Sequence, residues 1–321
     1  NYDFIIACSH SRFPERAKES NWTKNSKPNN EYEIPETFSG IRGESSLPES
    51  MLVMQGLEIQ YNRNEHPASP IPIDSETLSY LEKYDTHVRF SYGDSRNVSC
   101  LHPNYSDHGE ATTKWLKERK DITKTTPAQL LIRGYEIYND FGAYQDRSSN
   151  TKQSDPKKGQ GRGYAVKYWD SILSSGRRIF CLADDCSYYY RIENPKNNLG
   201  EIQGQPGMGW IQGIVDSLPP TAQGINKLLA HGHYYVTTGV IFTKIVVSDL
   251  TITITADCKV NWKAVIGPNN KCETENNTQT FTVTFPTNAA YVRIECINPN
   301  KKTVYERGIQ AWTQPFWAIT G

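Results

Sequence analysis

Four short apolar segments each end at a residue that can bind a metal ion. An apolar run of this length, bounded by turn residues, predicts a buried strand, and α/β folds place their chemistry at the C-terminal ends of parallel strands. Imidazole and carboxylate groups bind divalent cations, so the four ends predict one metal cluster. The segments run from Phe4 to His10, from Met54 to Glu58, from Val98 to His102, and from Ile179 to Asp185.

These residues also have purely structural interpretations. His102 could cap a loop, Glu58 could pair with a Lys or Arg, and Asp184 is expected to cap the turn after its strand rather than bind metal. His66 lies in a Pro-rich run and could supply a fifth ligand. The histidines without a strand-end position are predicted to be surface or packing residues; they are His87, His108, His231 and His233.

The elements that would position these residues alternate along the first three quarters of the chain. Apolar runs predict strands at 2–9, within 49–61, at 98–101 and at 130–138, and the helical period predicts helices at 165–174 and 220–231. Strands that alternate with loops or helices are typical of an α/β fold. We therefore expect an α/β domain over residues 1–240.

The pattern changes from Ile241 onward. Runs around 246–255, 261–266, 280–285 and 291–297 alternate with period two and are rich in β-branched and aromatic residues. Turn residues separate the runs. The segment 241–321 is therefore predicted to be a small all-β sandwich domain without a helix.

The charge of the chain is balanced. Its 35 Lys and Arg residues equal its 35 Asp and Glu residues, so no overall field would draw it to nucleic acid or to an anionic membrane. No apolar run approaches the roughly 20 residues that a membrane helix needs. We expect neither nucleic-acid binding nor a membrane span.

Cysteines and glycosylation motifs indicate the compartment. Cys258 and Cys272 bracket a predicted strand and could close a disulfide or stay free, whereas Cys8, Cys100 and Cys181 are expected to pack inside strands. The chain begins at Asn1, which indicates a processed or truncated start. An extracellular or periplasmic glycoprotein is favoured, although chance would also produce about this number of N-x-S/T motifs. The motifs lie at Asn21, Asn97, Asn104 and Asn276.

Motifs along nearly the whole chain resemble the polymerase-and-histidinol-phosphatase (PHP) superfamily, specifically its secreted branch. The order and spacing of the motifs carry the resemblance. They are YDFIIACSH at 2–10, GLEI at 56–59, LHPN at 101–104, YEIYN at 135–139, the segment 169–185, HYYVTTG at 233–239, YVRI at 291–294 and AWTQP at 311–315. The resemblance implies a distorted PHP-type β/α barrel over 1–240, followed by the small β-sandwich.

The resemblance also implies a trinuclear metal site, from which this chain departs. Ser9 stands where the family pattern has Asp before His10, Ser187 stands where it has the closing His, and the opening His-x-His would lie upstream of Asn1. The ligands that remain by resemblance are His10, Glu58, His66, His102 and Asp185. All of these except His66 would also be the catalytic residues.

Two functions are compatible with this site. Ser is normally protonated and ligates metal poorly, so we expect a phosphoesterase-derived protein with weak or no catalysis that serves as an extracellular scaffold, structural or binding protein. The alternative is an active phosphoesterase or related hydrolase that uses Zn, Mn or Fe on a phosphoester or other small molecule. No organic cofactor is expected. Edge strands of the β-domain could add to a neighbouring copy, so a homo-oligomer or filament is a further expectation.

Overall fold

The computed structural model of the chain describes residues 4–12, 52–60, 87–89, 117, 134–139, 165–184, 207–213, 221–303 and 308–318. This part of the chain is dominated by strands. In chain order its elements are β1 (Phe4–Arg12), β2 (Leu52–Gln60), β3 (His87–Arg89), β4 (Gly134–Asn139), α1 (Val166–Ser174), β5 (Phe180–Asp184), β6 (Trp210–Gly213), α2 (Ala222–His231), β7 (Tyr234–Thr237), β8 (Phe242–Ser248), β9 (Thr251–Gly267), β10 (Lys271–Thr284), β11 (Tyr291–Lys302), β12 (Gly308–Thr313) and β13 (Phe316–Trp317).

The strands form two parallel sheets and one larger antiparallel sheet. The parallel sheets are β1-β2-β3 and β4-β5. The antiparallel sheet has the order β10-β9-β11-β12-β7-β6, with β8 paired to β9 and β13 paired to β11. The strands predicted at 2–9, 49–61 and 130–138, and the strand before Asp184, are confirmed with shifted ends. The strand predicted at 98–101 lies outside the described residues.

The predicted PHP-type β/α barrel followed by a separate sandwich is wrong for the described part of the chain. Strands there outnumber helices by thirteen to two, and the largest sheet is antiparallel. Thr237 on β7 pairs with Trp210 on β6 and with Ala311 on β12, so both edges of β7 lie in this sheet. Strands that the barrel would have needed therefore satisfy their backbone groups by antiparallel pairing with C-terminal strands. The division into 1–240 and 241–321 stays a prediction.

The C-terminal strands follow from the period-two pattern in their sequence. On β9, Ile252, Ile254 and Ala256 are buried in the first half, and Val260, Trp262, Ala264 and Ile266 are buried in the second. The first half pairs with β8 and the second with β11, while β10 runs beside both and shifts register between Glu275 and Thr280. One apolar cluster therefore collects side chains from both halves of β9.

Aromatic rings fill the centre of this cluster. Successive ring centroids lie 4.5 Å apart for Tyr235 and Phe242, 5.8 Å for Phe242 and Trp262, and 5.8 Å for Trp262 and Phe281. The Tyr235 hydroxyl accepts a hydrogen bond from the Phe242 amide at 2.9 Å, and burial raises the pKa of Tyr235 to about 12. The Trp262 indole donates to the Thr278 carbonyl at 3.1 Å, where β10 is irregular. Each polar tip therefore finds a partner inside the core.

Both predicted helices are confirmed. Helix α1 buries Trp169, Ile172 and Leu173 on one face, as the helical period predicts. Helix α2 begins after Thr221, whose hydroxyl accepts a bond from the Gly224 amide at 3.1 Å. It ends at Gly232, which has φ +68° and packs closely against the Phe180 ring, so that a side chain would not fit there.

The disulfide alternative for Cys258 and Cys272 is wrong, because both residues are free cysteines. Cys272 lies opposite Val265 in the second half of β9, whereas Cys258 lies between the two halves. Cys181 is buried in β5, as predicted for a packing residue.

Candidate metal and charge sites

In the first parallel sheet, two predicted metal ligands are register partners on neighbouring strands. His10 on β1 pairs with Glu58 on β2, and Glu58 pairs with Arg89 on β3. Neighbouring strands of a sheet lie about 4.8 Å apart. We call these three residues the His10–Glu58–Arg89 row. It places imidazole, carboxylate and guanidinium residue types next to one another in the sheet.

Two kinds of chemistry are available to such a row. A carboxylate beside an imidazole can contribute to a divalent-cation site. A carboxylate beside a guanidinium can form an ion pair instead, which is the alternative that the sequence left open for Glu58. The row supplies a specific candidate for that pair, Arg89. The sequence analysis missed Arg89 because it assigned no strand to His87–Arg89, where Val88 is the only β-branched residue in a three-residue strand.

The second parallel sheet carries another pair of polar residues at its end. Asn139 on β4 pairs with Asp184 on β5, one position beyond the pairing of Tyr138 with Ala183. Glu136 on β4 is 1% exposed, so this short sheet also contains a buried carboxyl group. Sequence reasoning gave Glu136 no role of its own. The signal available was its position in an apolar run that ends at Asn139.

The remaining predicted ligands cannot be placed relative to the row. His66, His102, Asp185 and Ser187 lie outside the described residues, whereas Ser9 lies in β1 directly before His10. In the described part of the chain, no group of three or more His, Cys, Asp or Glu residues is arranged to hold a metal ion. The pairing of His10 with Glu58 is thus what the structure contributes to the predicted metal site, and the complete ligand set stays a prediction.

His231 and His233 form a separate pair at the surface. Their rings are stacked with centroids 5.6 Å apart, and both side chains are exposed. This position agrees with the predicted surface role for the two residues.

A cluster of four charged residues connects α1 to β11. The Arg293 guanidinium, which is fully buried, donates to both carboxylate oxygens of Asp170 at 2.6 and 2.7 Å and to Glu295 at 2.6 Å. Lys263 on β9 donates to the other Glu295 oxygen at 2.7 Å. The Trp169 ring centre lies 5.2 Å from the guanidinium carbon. We call Asp170, Lys263, Arg293 and Glu295 the Arg293 cluster.

The charges in the Arg293 cluster are balanced and mutually bonded. Burial by itself would raise the pKa of Glu295, but the Arg293 guanidinium and the Lys263 ammonium hold it below its usual value. Each oxygen of both carboxylates accepts a charged hydrogen bond. The cluster therefore has the properties of a structural ion-pair network rather than of a metal or catalytic site.

Gln314, which directly follows β12, makes a second connection between the C-terminal strands and an earlier element, in this case β5. Its side-chain oxygen accepts from the Cys181 amide at 2.8 Å, and its side-chain nitrogen donates to the Cys181 carbonyl at 2.9 Å. The amide group thus pairs with β5 as a peptide unit would. Burial raises the pKa of the Cys181 thiol, so this cysteine is not suited to act as a thiolate nucleophile.

Comparisons with known proteins give little further information. No protein-family model and no curated protein matches the sequence. The chain is similar to a solved two-domain protein from Bacteroides vulgatus, described as containing a predicted PHP-like metal-dependent phosphoesterase. The two are 11% identical over 82% of this chain and 86% of that one, with a TM-score of 0.21. Within the described ranges, neither helix has the length and apolarity needed to cross a membrane.

Proposed function

We propose that the chain derives from a PHP-type metal-dependent phosphoesterase, that its hydrolysis is weak or absent, and that it serves a binding or structural role in an extracellular or periplasmic setting. The observation that carries the proposal is the His10–Glu58–Arg89 row, in which two residues of metal-binding type are register partners and the basic residue Arg89 follows on the next strand. The ordered motifs that resemble the family support the same origin.

Weak catalysis follows from the charges around the proposed metal. A multi-metal hydrolase holds cations close together so that a bound water loses a proton and the developing phosphate charge is neutralised. Ser9 and Ser187 replace an acidic and an imidazole ligand of the family pattern, which removes ligands from the site. Arg89 pairs with Glu58 in the sheet, and its guanidinium would compete with a metal ion for that carboxylate.

An active hydrolase is the second candidate, and the pairing of His10 with Glu58 favours it too. In that case Glu58, His102 and Asp185 would be metal ligands, and His10 would be a ligand or a proton shuttle. A divalent metal ion held by these residues would activate a water molecule as the nucleophile for phosphoester cleavage. The missing ligands would then come from residues upstream of Asn1.

Metal content and turnover distinguish the two candidates. The full chain, purified without chelator, is analysed by elemental mass spectrometry and assayed with p-nitrophenyl phosphate and added Mn²⁺ or Zn²⁺. We expect less than one equivalent of metal and little turnover for the wild type. Arg89→Met should raise bound metal severalfold, because it removes the competing cation, and Glu58→Gln should abolish the binding that remains.

The control is Lys259→Met, which removes an exposed cation from β9 without touching the row. Its metal content should equal that of the wild type. Two or more equivalents of metal, with turnover lost in Glu58→Gln, would establish the active hydrolase instead. If metal content is the same in the wild type, Arg89→Met and Glu58→Gln, the row is not a metal site and the proposed origin loses its main support.

A further inference from the structure

Strand β8 carries an unusual concentration of exposed aliphatic residues. Ile245, Val246 and Val247 are 41%, 37% and 57% exposed, and Leu250 in the following turn is 52% exposed. These four are the exposed large hydrophobic residues of the described chain. β8 pairs with β9 along one edge, and no other described strand pairs with it. Edge strands normally avoid exposed aliphatic residues, because their free backbone groups attract other strands.

Two of these residues are the ends of apolar rows that are otherwise buried. Ile245 pairs with Ile254, which pairs with Phe281; Val247 pairs with Ile252, which pairs with Val283. The four residues on β9 and β10 are at most 4% exposed. Each row therefore runs across three strands on the core side of the sheet and becomes exposed only at β8. The core face is continuous with an uncovered apolar edge.

From this arrangement we infer that β8 is a homodimer interface, in which the β8 strands of two copies of this chain pair antiparallel around a two-fold axis at Val246. In this register Val246 opposes itself, Ile245 opposes Val247, and Lys244 opposes Ser248. Each apolar row then continues into the second copy, because Ile245 of one chain meets Val247 of the other. Cross-strand pairs of β-branched residues are among the favourable contacts of antiparallel sheets.

The geometry of antiparallel pairing selects this register. Two residues that exchange hydrogen bonds must both direct their backbone groups to the shared edge, and only every second residue of a strand does so. The two-fold axis of a strand that pairs with itself therefore passes through a residue and not through the bond between two residues. Among such registers, the one centred on Val246 places aliphatic residues opposite aliphatic residues at all three central positions. Self-complementary pairing of one patch is what a two-fold interface requires.

Charge also permits a second copy at this edge. Lys244 is the only charged residue of β8, and in this register it opposes the uncharged Ser248 of the other chain, so no like charges face each other across the strand pair. The chain as a whole has equal numbers of acidic and basic residues, so two copies do not repel each other at long range. A single strand pair is a small interface, and we expect a dissociation constant on the order of micromolar.

This inference rests on the structural role in the proposed function and makes it specific, and its test does not depend on the metal site. Its test is sedimentation velocity of the full chain across micromolar concentrations. The wild type should shift from monomer to dimer as concentration rises. Val246→Lys and Val246→Glu each place like charges opposite each other at the axis and should sediment as monomers. An equimolar mixture of the two variants should form a dimer again, since opposite charges then meet.

Folding and specificity are controlled in the same experiment. Circular dichroism should be unchanged in both variants, because Val246 lies on the outer side of the sheet opposite Thr253. Thr284→Lys introduces a charge at an exposed position of β10, away from β8, and should leave the dimer intact. A wild type that stays monomeric, a dimer that survives both substitutions, or a mixture of the variants that stays monomeric would each overturn the inference.

Discussion

The His10–Glu58–Arg89 row and the Arg293 cluster use similar residue types in different settings. The row is set by backbone pairing across three parallel strands, which come from distant parts of the chain. The cluster is set by side-chain ion pairs between α1 and adjacent antiparallel strands. In the cluster two cations face two anions, and every carboxylate oxygen is bonded. In the row one carboxylate residue stands between two basic residue types, which leaves a choice between an ion pair and a metal ion.

The comparison teaches that charge balance, rather than residue type, separates a structural site from a candidate functional site. A buried network whose charges cancel and whose hydrogen bonds are complete has little to gain from a ligand. A set in which a carboxylate has competing partners can respond to a ligand. Substitutions in the two regions should therefore have different readouts: unfolding free energy for the Arg293 cluster and metal content for the row.

The largest effect on stability is expected from Arg293→Met. Removing the guanidinium leaves the Asp170 and Glu295 carboxylates without their main partner, and breaking a buried pair in this way costs about 3–5 kcal/mol. Urea unfolding followed by circular dichroism measures the change. Arg89→Met, the matched substitution in the row, should alter metal content instead. A loss below about 1 kcal/mol for Arg293→Met would show that the cluster does not stabilise the fold as argued.

A smaller loss is expected from Gln314→Leu. The substitution keeps the side-chain volume but leaves the buried amide and carbonyl of Cys181 without their bonds, which should cost roughly 2–4 kcal/mol. The control is Gln310→Leu on β12, because the hydrogen bonds of Gln310 are made by its backbone. Equal unfolding free energies for the two variants would contradict a specific role for Gln314.

Acid should weaken the Arg293 cluster through Glu295. Its folded-state pKa is below its usual value, which is about 4.3 in the unfolded chain. The contribution is therefore fully present above that unfolded value and is lost as pH falls through the lower folded value. The stability difference between the wild type and Glu295→Gln should stay constant from pH 6 to about 4.3 and should shrink as the pH is lowered further. A difference that does not change below about pH 4.3 would contradict the assignment.

The smallest effect is expected from Lys263→Met. The Lys263 side chain is 40% exposed, so its bond to Glu295 is screened by water and should contribute about 0.2–1 kcal/mol. The same urea titrations measure it. A loss comparable to that of Arg293→Met would mean that the four charges act as one unit rather than around a central guanidinium.

Local sequence patterns predicted many of the elements but not which of them pair. The alternation in β9 and the apolar face of α1 are visible in any short window, and both are observed. Pairing between distant strands leaves no such trace. Trp210–Gly213 has four half-buried residues and no alternation, so its antiparallel pairing with Tyr234–Thr237, which excludes the predicted barrel, could not be inferred locally.

The candidate sites show the same limit. His10 and Glu58 were predicted from their strand ends, but their shared register, and the place of Arg89 beside them, depend on which strands pair. The Arg293 cluster did leave a signal. Arg293 and Glu295 alternate with Val292 and Ile294 on β11, which indicates a strand with one apolar and one charged face. What the sequence could not show is that the predicted helix α1 places Asp170 against this charged face.

The Arg293 cluster also has an evolutionary consequence. Replacement of Arg293 leaves two carboxylates with one partly exposed lysine, and replacement of Asp170 or Glu295 removes one of the two carboxylates that bond the buried guanidinium. Single steps away from this set are therefore destabilising. Relatives should therefore either keep all three residues or have exchanged them together for apolar ones. Across a set of homologous sequences, positions 170, 293 and 295 are expected to vary in concert, with position 263 free to drift.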